Sequence, residues 1–367
     1  MFYYLCINEL IYLLEKDMFT RILPLFTSVL FLLGCTSNNP EVEIVCQRDE
    51  IGNYLIKWET DPKIEGTVMI SVSNNPDHFN DAPIIYSDIK DGVATYITND
   101  NISRRFFLLN FNNQFSRIVG ARAAVLDKVQ NLRDLGGYKA TKGKYVKWGK
   151  VYRSGDVSIL GEWDSIRIQN LGVKTIIDLR TPREIKNDPP KYKAENFINI
   201  PVSIGKTADA RRRVLAGEIR KGDAQIFMED EYIQFVTDNT QQFAKVMDEL
   251  LKEENYPILV NCSIGKDRTG FFSAMLLTAL GVDKESVMED YMASNQHIKI
   301  KNINDIMYRL TTDAQESVTV FLTAEEGLMD LAFHKIKQEY GSVEKYLTKG
   351  LLLTDKKRER LKDLLLY

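Results

Sequence analysis

The sequence has few cysteines and almost no net charge. Its 367 residues include four cysteines and carry a formal net charge of −3. Cys6 and Cys35 lie in an N-terminal segment with the features of a leader, so only Cys46 and Cys262 remain in the body of the protein. These two lie in different predicted domains, which argues against a disulfide framework. The nearly neutral charge excludes a globally basic nucleic-acid-binding surface, so any anion site must be built locally.

Long hydrophobic runs are also missing, apart from one near the N-terminus. Arg21 and the apolar run 22–33 form a signal-peptide pattern that is too short for a comfortable membrane span. The following letters LLGC resemble a bacterial lipobox, which predicts an acylated Cys35 and an exported lipoprotein held on a membrane at the periplasmic face or cell surface. A plain secretory signal and an uncleaved anchor are the alternatives. Residues 1–17 are acidic where export signals are basic, which makes Met18 a candidate start.

After a small polar tether (36–40), residues 41–124 have the residue pattern of an all-β domain. Short β-branched and aromatic runs alternate with turn signals such as Asp91-Gly92, at a spacing that favours an immunoglobulin- or fibronectin-like sandwich. We expect Trp58 in its core and His78 in a surface loop, and we see no catalytic constellation. The seven predicted strands are 41–47, 54–58, 67–73, 83–89, 92–97, 105–111 and 116–123.

Residues 125–367 alternate strands with helices, which predicts an α/β domain with a central sheet flanked by helices. Gly281 is expected to end one helix, and Asp283 to cap the next, which runs to about residue 295. The predicted elements are apolar strands at 173–179 and 256–261, helical spacing over 229–253 and a buried helix at 270–280.

The chemistry lies in the loop of PILVNCSIGKDRTGFFSAM, which runs strand, loop, helix. Cys262 ends the strand, Arg268 lies six residues later, and the helix is expected to start at about Thr269. A loop of this length turns its backbone N–H groups inward to bind a tetrahedral oxyanion, and the helix N-terminus adds partial positive charge. Gly265 is expected to avoid crowding the anion, and Gly270 to bring the helix close to the sheet.

The same field favours the thiolate of Cys262, which is the nucleophilic form. It would attack phosphorus to form a cysteinyl-phosphate that water then hydrolyses. No metal or other cofactor is required, because the loop and Arg268 neutralise the phosphoryl oxygens. Thr269 is a candidate hydrogen-bond donor to the sulfur. A buried core cysteine at a strand end is the structural alternative, and an ATP-binding loop is excluded because Asp267 follows Gly265-Lys266 where that motif needs Ser or Thr.

The loop VNCSIGKDRTG resembles the signature loop of the protein tyrosine phosphatase superfamily, in its bacterial atypical, triple-specificity branch with Lys-Asp before the arginine. The blocks at 131–138, 151–160, 172–184, 290–295 and 340–355 resemble further blocks of that family, and residues 41–124 resemble its fibronectin type III-like domain. The resemblance implies catalytic roles for Cys262 and Arg268. It implies a substrate-binding phosphate loop formed by Ser263, Ile264, Gly265, Lys266 and Thr269.

The general acid and the role of the lysine stay open. The resemblance points to Asp267 as the acid that protonates the leaving oxygen, with Asp134 and Asp156 as rivals. A structural salt bridge is the alternative role for each of the three. Lys266 is either a solvated surface charge or a contact to the substrate.

One departure is visible: Asn261 stands where the family usually has His. That histidine supports the loop and the thiolate, and Asn retains donor and acceptor capacity without charge. The leading function is hydrolysis of phosphotyrosine in proteins. The alternatives are a phosphoinositide or inositol phosphate phosphatase, since Lys266 adds charge for a second phosphate, and a weakly active phosphate-binding lipoprotein. A sulfurtransferase is disfavoured by the flanking blocks. Nothing in the sequence indicates the oligomeric state.

Overall fold

The structure, a computed structural model, describes residues 40–124, 126–205, 210–220, 222–299 and 307–367. The predicted signal peptide and its acylated Cys35 lie outside these ranges. Within them, no helix combines the length and the apolar character needed to cross a membrane.

The N-terminal part of the described chain is built from antiparallel strands in two sheets. One sheet has three strands in the order β1-β2-β5, and the other has four in the order β4-β3-β6-β7. Each of the seven segments predicted as a strand forms one. Their bounds are β1 Glu41–Arg48, β2 Tyr54–Asp61, β3 Thr67–Ser73, β4 Ile85–Asp88, β5 Val93–Tyr96, β6 Phe106–Phe111 and β7 Phe115–Gly120.

Alternating burial explains why these segments are strands. Along β2, Tyr54, Ile56 and Trp58 are buried while the residues between them are more exposed, as a half-buried strand requires. The indole Nε1 of Trp58 donates to the Ile89 carbonyl (2.8 Å), so its predicted place in the core is confirmed. His78 is exposed in a turn, as expected. The turn Thr60–Ile64 closes locally, with Ile64 N donating to Thr60 Oγ1 (3.3 Å).

A buried ion pair joins the four-stranded sheet to the chain that follows it. Arg104, just before β6, lies 2.5 Å from the Asp134 carboxylate, and the two side chains are 9% and 0% exposed. The Arg104 guanidinium also lies over the rings of Phe106 and Trp148. The Trp148 indole donates to the Ile118 carbonyl (2.9 Å). Apolar, cation–π and charged contacts therefore hold this junction together.

The C-terminal part has a five-stranded sheet in the order β11-β10-β12-β9-β8. Strands β9 to β12 are parallel, and β8 is an antiparallel edge. The register aligns Ser154, Asp178 and Asn261 at the carboxyl ends of three neighbouring strands, which is where open α/β sheets place their sites. The strands are β8 Arg133–Asp134, β9 Val151–Ser154, β10 Thr175–Asp178, β11 Asn196–Asn199 and β12 Ile258–Asn261.

Helices cover both faces of this sheet, so its central strands are buried on both sides. Ile258 and Val260 join one apolar cluster, and Leu259 joins another on the opposite face. The α-helices in the described part of the chain are α1 Glu162–Asn170, α2 Pro182–Asn187, α3 Ala210–Leu215, α4 Asp223–Thr237, α5 Thr240–Glu249, α6 Asp267–Leu280, α7 Lys284–Met292, α8 Ser294–His297, α9 Thr312–Leu322, α10 Glu326–Tyr340, α11 Val343–Lys345 and α12 Asp355–Leu365. A π-helical turn, Tyr346–Gly350, follows α11, and 3₁₀ turns occupy Ile89–Asp91, Thr141–Gly143 and Glu253–Asn255.

The helix boundaries agree with the sequence only in part, and the largest correction concerns residues 229–253. The helical spacing over 229–253 belongs to two helices, α4 and α5, which separate at Asn239. The Asn239 side chain accepts from Ser203 N (2.9 Å) and donates to the Ser203 and Gln234 carbonyls, so it breaks the helix to hold a loop. Gly281 ends α6 in a left-handed conformation, and Asp283 caps α7, both as predicted.

Candidate active site

The cysteine loop lies between β12 and α6, at the carboxyl end of the sheet. Cys262 follows the strand directly and is 3% exposed. The Gly265 N–H donates to its Sγ (3.3 Å). Gly265 has φ +77°, and a Cβ there would lie 2.4 Å from the Ser154 carbonyl carbon. Glycine is therefore needed here for the backbone conformation and for the close contact with β9.

Two buried side chains hold the carbonyl group of Gly265, while its N–H faces Cys262. Its carbonyl accepts from Asn131 Nδ2 (2.8 Å) and from Arg153 Nη2 (2.7 Å). Both donors are buried, and their bonds fix the carbonyl outward while the N–H of the same residue faces the sulfur. Sequence reasoning placed Asn131 and Arg153 in conserved-looking blocks without seeing this contact.

A buried carboxylate in turn holds these donors. Asp290 on α7 pairs with Arg153, accepts from Tyr138 (3.1 Å) and lies 3.7 Å from Arg133. Burial raises the pKa of Asp290, but Arg153, Arg133 and Arg122 outweigh it and hold that pKa below its ordinary value. Burial, and then repulsion from Arg153, lower the pKa of Arg133 to about 10. The sequence segments around residues 131, 153 and 290 are therefore in contact with one another and with the cysteine loop.

Arg268 is held by a carboxylate that the sequence analysis did not identify. Its Nη1 and Nη2 donate to the two oxygens of Glu184 (2.9 and 2.8 Å). Nη1 also lies 3.4 Å from the Leu179 carbonyl, and Nη2 donates to Ser263 Oγ (2.9 Å). Ser263 Oγ donates to Glu184 (2.5 Å). The guanidinium is therefore oriented by a two-point pair before any substrate arrives.

Glu184 is positioned by the start of α2. It forms a capping box with Thr181, in which each side chain bonds the other residue's backbone N–H. Burial raises the pKa of Glu184, but hydrogen bonds and charge from Arg268, with Ser263 and Thr181, lower it to about 2. The sequence did contain the signal, because Thr-Pro-Arg-Glu at 181–184 is a capping-box pattern with Pro at the first helical position.

Lys266 is fully buried, so a solvated surface charge is the wrong interpretation. Its side chain is 0% exposed, and Nζ donates to the Thr323 carbonyl (2.8 Å) and lies 3.3 Å from Asp267 Oδ1. The ammonium thus connects the cysteine loop to the segment between α9 and α10. Ile264, also in the loop, is half-buried.

Asp267 is the first residue of α6, and its side chain is 17% exposed. Its Oδ1 accepts from the Tyr232 hydroxyl (2.9 Å). Among the described residues no hydrogen bond reaches Oδ2. The helix therefore begins two residues before the predicted Thr269, and this places the candidate acid beside the cysteine loop.

The rival carboxylates have other positions. Asp134 is fully buried against Arg104 and accepts from the Gly136 and Gly149 N–H groups, so its structural salt bridge is the correct interpretation. Asp156 lies next to the loop, since its N–H donates to the Ser263 carbonyl (3.2 Å). Its carboxylate accepts from Ser158 N (2.9 Å) and lies 3.9 Å from Arg180.

Two expected hydrogen bonds are not formed. Asn261 is fully buried, but neither side-chain amide atom has a partner in the described part of the chain. The Thr269 hydroxyl is likewise buried without a partner among these residues, so it does not bond the sulfur. The Asn261 backbone carbonyl accepts from Leu179 N (2.8 Å). The side-chain support expected from position 261 comes instead from Asn131 and Arg153.

A buried cysteine in a tight loop, an oriented arginine six residues later and a helix N-terminus have the features of an anion-binding site beside a thiol. Comparison with known families agrees. The model of the tyrosine phosphatase family matches residues 124–367. The chain belongs to the tyrosine phosphatase family.

Relatives with curated names have similar sequences. A candidate tyrosine-protein phosphatase of Cupriavidus necator is 29% identical over 238 residues, covering 64% of this chain and 86% of its own length. The triple specificity protein phosphatase PtpB of Mycobacterium tuberculosis is 28% identical over 251 residues, covering 59% and 90%.

Among solved structures, P. aeruginosa TpbA covers 57% of this chain and 96% of its own at 19% identity, with a TM-score of 0.25. The Siw14 catalytic core covers 57% and 94% at 14% identity, with a TM-score of 0.29.

The low pKa of Glu184 predicts a pH-dependent contribution to stability. A carboxyl whose pKa falls on folding from an ordinary 4.5 to about 2 stabilises the fold above the unfolded-state pKa and loses that effect as the pH falls through the folded one. We expect Glu184→Gln to lower the free energy of unfolding by about 2–3 kcal/mol at pH 7. The difference from the unmodified protein should shrink between about pH 4.5 and 2.

Urea unfolding at several pH values measures this difference. Glu344→Gln is the matched control, because Glu344 pairs with Arg358 but its side chain is 60% exposed; the control should lose at most about 1 kcal/mol. Equal losses in the two variants, or a Glu184 loss that does not change with pH, would contradict the assignment.

Proposed function

We propose that this chain is a protein-tyrosine phosphatase that hydrolyses phosphate monoesters through a cysteinyl-phosphate intermediate. The observation that carries the proposal is the pairing of Cys262 with an Arg268 already oriented by Glu184. The names of the curated relatives, tyrosine-protein phosphatase and triple specificity phosphatase, support the same class.

The first step transfers the phosphoryl group to sulfur. The Cys262 thiolate attacks phosphorus in line with the ester oxygen, so an S–P bond forms as the P–O bond to the leaving group breaks. The inward N–H groups of the loop and Arg268 stabilise the charge on the phosphoryl oxygens. Asp267 supplies the proton that the leaving oxygen needs.

The second step returns the enzyme to its starting state. Asp267, now a carboxylate, accepts a proton from water as the water oxygen attacks phosphorus. The S–P bond breaks, sulfur leaves as the thiolate, and inorganic phosphate is released. The same contacts serve both steps. Ser263 and Glu184 hold the arginine, while the Gly265 N–H stays directed at the sulfur.

The burial of Lys266 favours a phosphotyrosine substrate over a phosphoinositide. A second phosphate would need a free ammonium at the mouth of the site, but Nζ is buried against the Thr323 carbonyl and Asp267. To bind a lipid phosphate, this side chain would have to leave both partners.

The remaining assignments concern organisation and location. We assign residues 1–35 as a lipoprotein leader, 36–40 as a tether, 41–124 as a fibronectin type III-like sandwich and 125–367 as the catalytic domain. The two sheets of three and four strands support the sandwich. Acylation of Cys35 would place the phosphatase on a membrane outside the cytoplasm, with phosphoproteins there as its substrates.

Substitutions at Cys262 and Arg268 test the mechanism. Cys262→Ser should abolish turnover of para-nitrophenyl phosphate but retain vanadate binding, because the loop amides and Arg268 remain. Arg268→Ala should lose both, and Cys46→Ala, a cysteine outside the loop, should lose neither. Steady-state kinetics and vanadate titration measure these effects. Near-normal hydrolysis by Cys262→Ser would exclude the proposed nucleophile.

A Lys266 variant tests the substrate class. Because Nζ is engaged inside the protein, Lys266→Met should lower kcat/KM in parallel for a phosphotyrosine peptide and a bisphosphorylated phosphoinositide. If the lysine bound a second phosphate, its loss would cost about 1.5–3 kcal/mol on the lipid alone, or roughly ten- to hundredfold. Such an unequal loss would replace the phosphotyrosine proposal with the phosphoinositide one.

The membrane anchor is tested at Cys35. Cys35→Ala should block incorporation of radiolabelled palmitate and move the protein from the membrane to the soluble fraction. Stable anchoring needs more than one acyl chain, and this variant would lack the residue proposed to carry them. Cys6→Ala is the control and should label normally. Unchanged labelling of Cys35→Ala would eliminate the lipobox assignment.

A further inference from the structure

A line of buried hydroxyl groups leads to the Asp267 carboxylate. The Tyr232 hydroxyl on α4 donates to Asp267 Oδ1 (2.9 Å), and the Tyr291 hydroxyl on α7 lies 2.7 Å from that of Tyr232. The backbone N–H of Glu325 lies near the Tyr291 hydroxyl. Tyr232 and Tyr291 are 0% and 1% exposed. Neither tyrosine has a place in the mechanism above.

The direction of these bonds follows from counting protons. A tyrosine hydroxyl has one proton to donate, and Tyr232 gives its proton to Asp267. The bond between the two tyrosines must therefore be donated by Tyr291. Every donor in the line is used, and all of them point toward Asp267.

The reverse order would leave a buried donor without an acceptor. If Asp267 carried its proton on Oδ1, that oxygen would donate to Tyr232, and Tyr232 would donate to Tyr291. The Tyr291 proton would then have no acceptor within this line of groups, which is unfavourable in a buried site. Lys266 Nζ, 3.3 Å from Oδ1, places a positive charge beside the same oxygen and so favours its role as an acceptor.

We propose that Tyr232 is a positioning residue that keeps Oδ1 of Asp267 as an acceptor, so that the proton delivered to the leaving group is carried by Oδ2. This inference rests on the proposed role of Asp267 as the general acid. No hydrogen bond from the described residues reaches Oδ2, and the side chain retains some solvent exposure. Tyr232 fixes the rotation of the carboxyl, and with it the oxygen that faces the leaving group.

The tyrosines keep their protons at all relevant pH values. Burial, followed by the Asp267 charge, raises the pKa of both Tyr232 and Tyr291. Tyr232 therefore acts as a permanent donor and takes no part as an acid or base. Its ring packs against Phe235 and Tyr291, contacts that Phe would keep, so Tyr232→Phe should fold.

The test compares leaving groups. Para-nitrophenolate leaves with little need for a proton, whereas the phenolate of phenyl phosphate needs one. General acid catalysis contributes roughly 10²–10⁴-fold. We therefore expect Tyr232→Phe to reduce kcat/KM for phenyl phosphate on the order of tenfold more than for para-nitrophenyl phosphate.

Tyr291→Phe is the matched control. Both variants lose the bond between the two tyrosines, but only Tyr232→Phe loses the donor to Asp267. Tyr291→Phe should therefore show the same small effect on both substrates. A loss in Tyr232→Phe that is equal for the two substrates, or an equal leaving-group dependence in Tyr291→Phe, would overturn the inference.

Asp267→Asn separates this inference from the proposed function. If Asp267→Asn shows a strong leaving-group dependence and Tyr232→Phe shows none, Asp267 is the acid and only the positioning role fails. If Asp267→Asn shows no such dependence, the acid assignment and the inference fall together, while Cys262→Ser still reports on the nucleophile. In the double variant, Tyr232→Phe should add no further leaving-group dependence to Asp267→Asn, since it acts through that carboxyl.

Discussion

The orientation of the Gly265 carbonyl is the constraint on which the site depends. Asn131 and Arg153 both donate to this one oxygen, which turns the N–H of the same residue toward Cys262. Arg153 is held by Asp290 from α7, so the loop conformation depends on a carboxylate that is distant in sequence. Buried charges are unfavourable unless they are paired and hydrogen-bonded. Here the arginines and Tyr138 satisfy Asp290, so the cluster can serve as a rigid base for the loop.

The pairing of Arg268 with Glu184 is a second case in which a carboxylate holds an arginine of the site in place. Both terminal nitrogens of the guanidinium are already engaged with Glu184, Ser263 and the Leu179 carbonyl. A phosphate must therefore reach Arg268 through Nε or by replacing one of these bonds. In exchange, the arginine is fixed in position by its paired carboxylate. Such preorganisation removes the need to reorient the charge during the reaction.

The sequence predicted the features that depend on local pattern. All seven N-terminal strands, the strand–loop–helix around Cys262 and the end of α6 at Gly281 could be identified, because alternation, helical spacing and glycine conformation are local properties. What it missed depends on contacts between distant segments. At the break between α4 and α5, the Asn239 side chain hydrogen-bonds the Ser203 backbone. Lys266 can be buried because the Thr323 carbonyl accepts a hydrogen bond from its ammonium. Glu184 had a visible local signal as a capping residue, but its bond to Arg268, 84 residues away, had none.

Asn261 shows how these distant contacts change the meaning of a substitution. Judged from the sequence, Asn in place of His retains the capacity to hydrogen-bond the loop but removes a positive charge that would support the thiolate. In the structure the Asn261 amide makes no hydrogen bond within the described residues, and leaving buried polar atoms unpaired is unfavourable. The amide therefore gives the loop no hydrogen-bonded support from the described residues. Since Asn131 and Arg153 fix Gly265 independently, the loop can keep its shape with Asn at this position. An effect of Asn261 on reactivity would then have to act on the thiolate electrostatically rather than through loop geometry.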